Sequence, residues 1–364
     1  MTDRVYNFSA GPAVLPLPVL EKAQSELTCL PGAGASVLEI SHRSKTYIEI
    51  SEQAEATVKA LLGAGDDYRV LFLQGGARLQ FGMIPLNFLV GAAAPADYIV
   101  TGSWGKKAVE EARLVGDVRV AWDGKADNYD RAPKASTLGL NDEAPYVYIT
   151  SNETIEGVQF PADPNTGAAP LVCDASSDIF CRPTPIEKYG LLFACAQKNA
   201  GPAGVTIVVI RKELIEKSNE KIPSYLQYKP HADNDSMYNT PPCFGVYMVG
   251  LVAKWLCDDI GGLAEMEKIN RRKSQMLYDV IDAHDDFYKG HALPSCRSLM
   301  NVTFRLPSEE LEAKFLAEAK TRKLTELKGH RSVGGMRASI YNAMPEAGVK
   351  TLAEFMKDFA SKNG

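Results

Sequence analysis

The stretch LLFACAQKNAGPAG, residues 191–204, decides the fold, because it joins an apolar, strand-like run to a tight turn. The run ends at Gln197, and a turn rich in Gly and Pro follows Lys198 at once. A lysine at the end of a buried strand loses solvation, which lowers the pKa of its ammonium group and leaves a nucleophilic amine. The alternative is an exposed lysine after a strand, which is the commoner setting for this residue. The choice depends on what the rest of the chain brings to Lys198.

Six further β-rich runs surround this stretch in the sequence. They are YRVLFLQ (68–74), ADYIVTG (96–102), VRVAWD (118–123), APYVYIT (144–150), LVCDAS (171–176) and GVTIVVI (204–210). Several are apolar nearly throughout, as strands buried on both faces are. Helical or loop stretches lie between the early ones, so the sequence predicts an α/β domain with a mainly parallel seven-stranded sheet between helices. The gap at 198–203 is too short for a crossover, so 204–210 is expected to run antiparallel to 191–197 if the two pair.

The rest of the chain predicts helices around this sheet and a second, smaller region. Apolar spacing indicates helices at 16–30, from about 48 to 62, and at 246–257. Beyond residue 262 the pattern predicts a helix at 263–283, strands at 300–306 and 335–341, and helices at 308–323 and 345–361. We therefore expect a large α/β domain at 16–262 and a smaller α+β domain formed by 1–15 and 263–364.

Size and composition set limits on the kind of protein. With 364 residues, 45% of them hydrophobic and 23% charged, the chain has the composition of a soluble globular protein of about two domains. A net charge of −5 gives no general attraction to nucleic acid or to anionic membranes. No signal pattern or membrane-length apolar run is present, and seven cysteines without paired spacing indicate buried, reduced thiols. The expectation is a cytoplasmic protein without a metal.

Ligands of open α/β sheets bind at the carboxyl ends of the strands, so the residues that follow each predicted strand form the candidate site. They are Gln74–Arg78, Gly102–Gly105, Ser151–Thr154, Asp174 and Gln197–Lys198. Each has an ordinary alternative: Gly75 and Gly76 can make a simple turn, Asp174 can cap a turn, and Trp104 can be a core aromatic. No G-x-G-x-x-G pattern is present, which disfavours a dinucleotide site. Together, the residues at the strand ends match the requirements of pyridoxal phosphate, which needs a lysine, a carboxylate, a ring-stacking face and amide donors for its phosphate.

Motifs along nearly the whole chain strengthen this interpretation. They are NFSAGPAVLP, VLEISHRSK, FLQGGARLQF, SNETIEG, AQKNAGPAG, MYNTPP and KGHRSVGGMRASIYNAMP. From Asn7 to about Met344 the sequence resembles the phosphoserine aminotransferase family of the class V aminotransferases. That resemblance implies the fold-type-I pyridoxal phosphate architecture. One departure is Ala77, where the family often has a third glycine, but the main-chain N–H is retained.

The resemblance also implies roles at the cofactor. Lys198 is expected to form the internal aldimine and to move a proton between Cα and C4′, while Asp174 pairs with the ring nitrogen and Trp104 stacks on the ring. Thr154 is expected near the ring hydroxyl or the phosphate. The phosphate contacts implied within the chain are Ala77, Arg78 and Gln197. Asn239 and Thr240 are expected to reach the phosphate from the neighbouring subunit, which makes the site a property of a homodimer.

Substrate contacts follow from the same resemblance. Arg337 corresponds to the clamp on the α-carboxylate, and Ser9 to a contact with glutamate. The second anionic group of each substrate, a phosphate or a side-chain carboxylate, is assigned to His42, Arg43, Arg78, His330 and Arg331. The bidentate geometry of Arg suits both kinds of anion. Without the family, two solvated His-Arg pairs would be the preferred interpretation.

The sequence thus predicts a reversible, ping-pong transamination between L-glutamate and 3-phosphohydroxypyruvate that gives O-phospho-L-serine and 2-oxoglutarate, as in serine biosynthesis. One alternative is another class V enzyme, such as an alanine–glyoxylate aminotransferase or a cysteine desulfurase, although no cysteine lies in an evident mobile loop. The other is a non-catalytic protein that binds phosphorylated metabolites.

Overall fold

The structure, a computed structural model, describes residues 4–134 and 137–364. Its strands, numbered in chain order, are β1 Tyr6–Asn7, β2 Tyr68–Leu73, β3 Ala96–Val100, β4 Val118–Asp123, β5 Val147–Thr150, β6 Asn152–Glu153, β7 Val158–Gln159, β8 Leu171–Asp174, β9 Tyr189–Cys195, β10 Thr206–Arg211, β11 Lys289–Gly290, β12 Asn301–Arg305, β13 Leu324–Thr325 and β14 Met336–Ser339. Its helices are α1 Leu17–Glu26, α2 Lys45–Leu62, α3 Gly76–Phe88, α4 Ser103–Ala112, α5 Lys212–Glu216, α6 Tyr228–Asp233, α7 Cys243–Asp258, α8 Leu263–Ala283, α9 Glu309–Thr321 and α10 Glu346–Asn363.

The central sheet has seven strands in the order β2-β10-β9-β8-β5-β3-β4. Its strands pair in parallel from β9 to β4, whereas β10 runs antiparallel to both of its neighbours. Thr206 pairs with Cys195 at the start of this antiparallel ladder. All seven predicted strands and the predicted direction of β10 are confirmed. The parallel direction places the carboxyl ends of β3, β5, β8 and β9 at one edge of the sheet.

Both faces of the sheet are covered by helices, and β9 shows how its sequence achieves this. Every residue of β9 is buried. Leu192 and Ala194 pack into the core that contains residues of α2 and α7, whereas Leu191 and Phe193 pack into the core that contains residues of α3 and α4. Because successive side chains of a strand point to opposite faces, a continuous apolar run is needed to fill both cores.

A third core lies in the C-terminal part of the chain. It joins α8, α9 and α10 to the sheet β11-β12-β14, and it includes Phe8 from the N-terminal segment. The same segment pairs in parallel with β13, where Tyr6 lies opposite Leu324. These contacts support the proposed small domain of 1–15 and 263–364 beside a large domain of 16–262; residues 1–3 of that segment lie outside the described residues. The first turn of α8 still packs on the large core through Leu263 and Met266.

Two expectations need correction. Helix α1 ends at Glu26, four residues before the predicted end, and the chain then turns where Leu30 O accepts hydrogen bonds from the N–H groups of Ala33 and Gly34. The seven cysteines are all unpaired, but only four are buried. Cys29 is exposed in the loop after α1, and Cys243 and Cys257 are half-buried because they lie at the two ends of α7. None of the helices within residues 4–134 and 137–364 combines the length and the apolar character that a membrane span requires.

Lys273 on α8 gives a prediction about stability. Its side chain is fully buried, and its ammonium nitrogen lies 2.8–3.3 Å from the carbonyl oxygens of four residues. These residues are Ile340, Tyr341, Asn342 and Met344. The substitution Lys273→Met is expected to destabilise the protein by about 3 kcal/mol or more, because buried carbonyl groups would lose their donor. Urea unfolding measures this change.

The matched control for Lys273 is Lys268→Met on the same helix. Lys268 is exposed and pairs with Glu265 in an exposed ion pair, so its replacement is expected to change the free energy of unfolding by less than about 0.5 kcal/mol. Equal effects of the two substitutions would contradict the proposed role of Lys273.

Candidate active site

A cavity of about 280 Å³ opens at the carboxyl ends of β5, β8 and β9. It is lined by Ala10, Gly11, Ala77, Trp104, Thr150, Asn152, Thr154, Ile155, Asp174, Ser176, Ser177, Cys195, Gln197, Lys198, His330 and Arg337. The side chains come from strand ends, from the first turns of α3 and α4, from the N-terminal segment and from the small C-terminal region. Eight of the predicted site residues therefore meet in one place.

Lys198 lies at the centre of this cavity, in the turn that follows β9. Its Nζ donates a hydrogen bond to Thr154 Oγ1 at 2.7 Å. Burial lowers the pKa of Lys198, while the negative charge of Asp174 acts in the opposite direction. The alternative interpretation of this residue, an exposed lysine after a strand, is therefore wrong. The amine is held where its neutral, nucleophilic form is favoured relative to a lysine in water.

The N-terminal segment passes over this turn and closes one side of the cavity. Ala13 N donates to Gln197 O at 2.8 Å. Gly11 has a φ of +139°, and a Cβ atom at this position would lie 3.3 Å from Lys198 Cγ. Both the backbone conformation and the close approach explain why the motif NFSAGPAVLP has a glycine here.

Asp174 is the last residue of β8, and its carboxylate is buried beside Lys198. Its Oδ1 accepts a hydrogen bond from Ser176 N at 2.9 Å. Burial raises the pKa of Asp174, and the hydrogen bond from Ser176 and the charge of Lys198 oppose that shift. A carboxylate in such a place can stabilise a cationic ring nitrogen or hold a proton on it.

Trp104 forms a wall of the cavity from the first turn of α4. The Lys198 Nζ lies 5.9 Å from the centroid of its ring, and Lys107 Nζ lies 4.2 Å from the same centroid. The indole Nε1 is buried and has no hydrogen-bond partner among the described residues. The ring offers a flat apolar face to a planar ligand.

The turn between β2 and α3 supplies the start of a helix, a suitable place for an anion. Gly75 has a φ of +89°, and a Cβ atom there would lie 2.5 Å from the side chain of Leu79, so only glycine fits. Ala77 N donates to Cys195 Sγ at 3.1 Å. The Arg78 side chain turns away from the cavity, is 57% exposed and lies 3.6 Å from Glu111.

Arg337 brings positive charge to the cavity, and His330 lines it as well. Arg337 Nη1 lies 3.5 Å from Thr154 O. Burial lowers the pKa of the Arg337 guanidinium. Burial also lowers the pKa of His330, and the charges of Arg337, Lys107 and Arg331 add to this effect. A partly desolvated guanidinium here can bind a carboxylate with little competition from water.

Six other predicted site residues do not line the cavity of the single chain. They are Ser9, His42, Arg43, Arg331, Asn239 and Thr240. Arg43, Arg331, Asn239 and Thr240 are exposed. Thr240 O accepts a hydrogen bond from Gln74 Nε2 at 3.1 Å. The roles of all six, and that of Arg78, stay predictions.

Several lining residues were not predicted from the sequence. Thr150 comes just before the predicted stretch Ser151–Thr154, and Ser176 and Ser177 follow Asp174 after the intervening Ala175. Cys195 is two residues before Gln197 on β9. Their closeness to the predicted strand ends was the available signal. Which of these side chains face the cavity depends on the alternating side-chain direction along each strand and on the shape of the turns that follow.

The cavity fits a polar, planar ligand because it contains buried polar atoms without partners. Among the described residues, Trp104 Nε1, Thr150 Oγ1 and Asn152 Oδ1 have no hydrogen-bond partner, and all three residues line the cavity. Buried polar groups are nearly always satisfied in native proteins. With the amine of Lys198 and the carboxylate of Asp174, these atoms match the lysine, carboxylate and stacking face that pyridoxal phosphate requires.

A second cavity of about 300 Å³ lacks these features. Its lining includes Asp163, Asp178 and Arg182. Asp178 already accepts hydrogen bonds from Ser151 and Gln159, and Asp163 accepts one from Tyr189. The carboxylates of Asp163 and Asp178 are thus satisfied within the protein.

Comparison with known proteins agrees with this geometry. The family model "Aminotransferase class-V" matches residues 5–352. A phosphoserine aminotransferase from Rhodopirellula baltica is 61% identical over 362 residues, which cover 99% of this chain and 96% of that one. The solved phosphoserine aminotransferase from Bacillus circulans subsp. alkalophilus is 48% identical, with a TM-score of 0.97 and complete coverage of both chains. The solved pyridoxal-phosphate-bound phosphoserine aminotransferase from Trichomonas vaginalis is 41% identical, with a TM-score of 0.92 over 97% of this chain and 100% of that one.

Proposed function

The chain belongs to the class V aminotransferases, and we propose that it is a pyridoxal-phosphate-dependent phosphoserine aminotransferase. In the proposed reaction L-glutamate gives up its amino group and leaves as 2-oxoglutarate, and 3-phosphohydroxypyruvate takes the group to become O-phospho-L-serine. The observation that carries this proposal is the convergence of Lys198, Asp174, Trp104 and Arg337 on one cavity. The 61% identity to a phosphoserine aminotransferase over nearly the whole chain supports the choice of substrate.

Pyridoxal phosphate, when bound, supplies an aldehyde that takes up the amino group and a ring that withdraws electrons from it. The residues that would hold it are those whose polar groups or flat faces meet in the cavity. Asp174 would keep a proton on the ring nitrogen, because a buried carboxylate stabilises a cation beside it. Trp104 would cover one face of the ring, Thr154 would contact its hydroxyl or the phosphate, and Gln197 would approach the phosphate. The N-terminal turn of α3 at Ala77 would receive the phosphate.

Lys198 would act both as the attachment point and as the base. The buried position that lowers the pKa of its amine increases the fraction of the nucleophilic form at neutral pH. The hydrogen bond to Thr154 Oγ1 orients Nζ within the cavity. From there Nζ can accept a proton from the substrate Cα and return it, which is the role of a positioned general base.

Both proposed substrates carry two anionic groups, and the basic residues fall into two sets that match them. Arg337 would bind the α-carboxylate, because its guanidinium is in the cavity and partly desolvated. His330, which lines the cavity, and the next residue, Arg331, would bind the phosphate or the glutamate side chain together with His42, Arg43 and Arg78. Ser9, in the N-terminal segment, would contact glutamate.

We propose a homodimer in which each subunit completes the site of the other. Asn239 and Thr240 are exposed and lie outside the cavity of their own chain, so they are available to reach the cofactor phosphate of a partner subunit. His42 and Arg43 lie outside that cavity as well. A cytoplasmic location, which the unpaired cysteines favour, completes the proposal.

Mixed dimers test the shared site. Two variants are needed: one chain carries Lys198→Ala, and the other carries both Asn239→Ala and Thr240→Ala. Each is expected to be nearly inactive when it is expressed alone. When the two are co-expressed, one site of each mixed dimer would combine the intact Lys198 of one chain with the intact Asn239 and Thr240 of the other. Random pairing then predicts recovery of about a quarter of wild-type activity. Co-expressed chains that stay as inactive as the separate variants would contradict the shared site.

The test of the proposed function is a comparison of amino-group acceptors with glutamate as donor. For 3-phosphohydroxypyruvate, kcat/KM is expected to exceed that for hydroxypyruvate by about 100-fold or more, since charge-assisted contacts to the phosphate are lost with the unphosphorylated acid. The alternative, an alanine–glyoxylate type of aminotransferase, predicts the highest kcat/KM with glyoxylate. A protein that binds 3-phosphohydroxypyruvate but transfers no amino group would instead support the non-catalytic alternative.

A further inference from the structure

Two buried carboxyl groups next to the site have no part in the mechanism above. Glu153 and Glu156 belong to the motif SNETIEG and are at most 1% exposed. Both face the first turn of α4, the helix that carries Trp104. A charged group without solvent is costly unless specific partners compensate it, so the arrangement of these two groups calls for a functional explanation.

Glu153 uses both of its oxygens on this helix. Oε2 accepts a hydrogen bond from Trp104 N at 2.9 Å, and Oε1 accepts one from Gly105 N at 2.8 Å. The first N–H groups of a helix have no partner within the helix, and the helix dipole favours negative charge at this end. Glu153 is therefore well placed to remain ionised while buried.

Glu156 differs, because only one of its oxygens is used on the helix. Oε1 accepts hydrogen bonds from Ser103 N at 3.0 Å and from Ser103 Oγ at 2.6 Å. Oε2 is buried and has no partner among the described residues. An ionised carboxylate would place charge on this uncompensated oxygen, whereas a neutral carboxyl group would leave only an unpaired O–H there, which costs less.

The two carboxyl groups are also too close for both to be ionised. A Cβ atom on Gly102 would lie 2.6 Å from Glu153 Cδ and 2.7 Å from Glu156 Oε2, so the two groups flank the same glycine. Like charges at such a separation in a buried site raise the pKa of one partner. Burial raises the pKa of both carboxyl groups, that of Glu153 well above its usual value, and the neighbouring Glu156 adds to the shift of Glu153. The hydrogen-bond geometry decides which group keeps the charge, because two N–H groups of the helix start compensate a charge on Glu153, whereas Oε2 of Glu156 has no partner among the described residues. The other ionisable groups that act on the pair are Tyr129, Asp174, Lys198, His291 and Arg337.

We propose that Glu153 is an ionised positioning residue that fixes the first turn of α4, and with it the ring of Trp104, while Glu156 is its neutral, proton-bearing partner. The two residues act on Trp104 through the helix backbone and touch neither substrate nor cofactor. The link to catalysis rests on the proposed function, because it requires that Trp104 covers the cofactor ring.

This proposal predicts opposite outcomes for two equally conservative substitutions. In Glu153→Gln one of the two acceptor oxygens becomes an NH₂ group that faces a backbone N–H, so a charge-assisted hydrogen bond is replaced by a repulsive contact. In Glu156→Gln the remaining oxygen still accepts from Ser103, and the NH₂ group takes the place of an O–H. Only the first substitution should loosen the helix start.

Hydrogen exchange of the full-length holoprotein, followed by mass spectrometry, measures the helix start directly. Glu153→Gln is expected to increase the exchange rate of the peptide that contains residues 103–105 by on the order of tenfold or more. Glu156→Gln is expected to leave that rate unchanged within about twofold. Equal rates for the two variants, or a larger increase with Glu156→Gln, would overturn the assignment of charge and proton.

A second measurement tests the link to Trp104 without using turnover. In a Trp122→Phe, Trp255→Phe background, quenching of the remaining Trp104 fluorescence by added pyridoxal phosphate reports the affinity of the cofactor-free protein. Glu153→Gln is expected to weaken this affinity about tenfold, and Glu156→Gln to leave it unchanged. If Glu153→Gln exchanged faster but kept its affinity for pyridoxal phosphate, the role given to Trp104 would be overturned. The proposed reaction would be unaffected by that result, because the comparison of 3-phosphohydroxypyruvate with hydroxypyruvate tests it separately.

A third variant keeps the proposal falsifiable if Glu153→Gln does not fold. Gly102→Ala retains both carboxyl groups but places a Cβ atom 2.6 Å from Glu153 Cδ and 2.7 Å from Glu156 Oε2, which displaces both groups from the helix start. It is expected to increase exchange at residues 103–105 in the same direction as Glu153→Gln. Wild-type exchange in Gly102→Ala would overturn the positioning role.

Discussion

Replacing Lys198 by Ala is expected to lower kcat by about 10⁴-fold or more, since the substitution removes both the attachment point of the cofactor and the general base. The amine is the group that burial makes nucleophilic, and no other lysine lines the cavity among the described residues. The purified variant is also expected to lose the absorbance band of lysine-bound pyridoxal phosphate. Steady-state assays and absorbance spectra of the same preparation measure both effects.

The matched control is Lys188→Ala. Lys188 is exposed and lies just before the opposite end of the same strand, β9. Its replacement is expected to retain the absorbance band and to change kcat by less than about twofold. A Lys198→Ala protein that kept both the band and its turnover would show that another amine serves as the attachment point.

The second large effect is expected at Asp174. The substitution Asp174→Ala should lower kcat by on the order of 100- to 1,000-fold, because a buried cation that loses its partner is destabilised by several kcal/mol. The cation in question is the protonated ring nitrogen of the cofactor. Because the amine of Lys198 would remain, the cofactor is expected to stay attached, with an absorbance spectrum that indicates a neutral ring nitrogen.

Asp178→Asn is the control for a buried carboxylate outside the site. Asp178 accepts hydrogen bonds from Ser151 and Gln159 and faces the second cavity. Its substitution is expected to lower stability while leaving the spectrum of the bound cofactor unchanged. If Asp178→Asn altered that spectrum as much as Asp174→Ala, the assignment of Asp174 to the ring nitrogen would fail.

The sheet could be predicted from the sequence because each strand is marked by a local run of apolar residues. The apolar runs of β9 and β10 are long enough to fill both cores, and the short connection between them requires an antiparallel pair. The strand ends could be predicted for the same reason, which is why Asp174 and Lys198 were found together. The end of α1 could not be predicted from periodicity, since it depends on the turn at Leu30.

The remaining features of the site depend on contacts between distant parts of the chain. The pairing of Glu153 and Glu156 with the first turn of α4 joins residues about fifty positions apart, and no local pattern reports it. The outward direction of Arg78 follows from its proximity to Glu111 on α4. The roles of Asn239 and Thr240 require a second subunit, so they stay predictions until the mixed dimers are assayed.

The most direct test of the central claim is a single half-reaction with a stoichiometric amount of enzyme. Cofactor-loaded protein mixed with L-glutamate alone is expected to form about one equivalent of 2-oxoglutarate per subunit and then stop, since a ping-pong enzyme cannot turn over without its second substrate. Addition of 3-phosphohydroxypyruvate should then yield one matching equivalent of O-phospho-L-serine. Failure to form 2-oxoglutarate above the level of the Lys198→Ala protein would contradict the account.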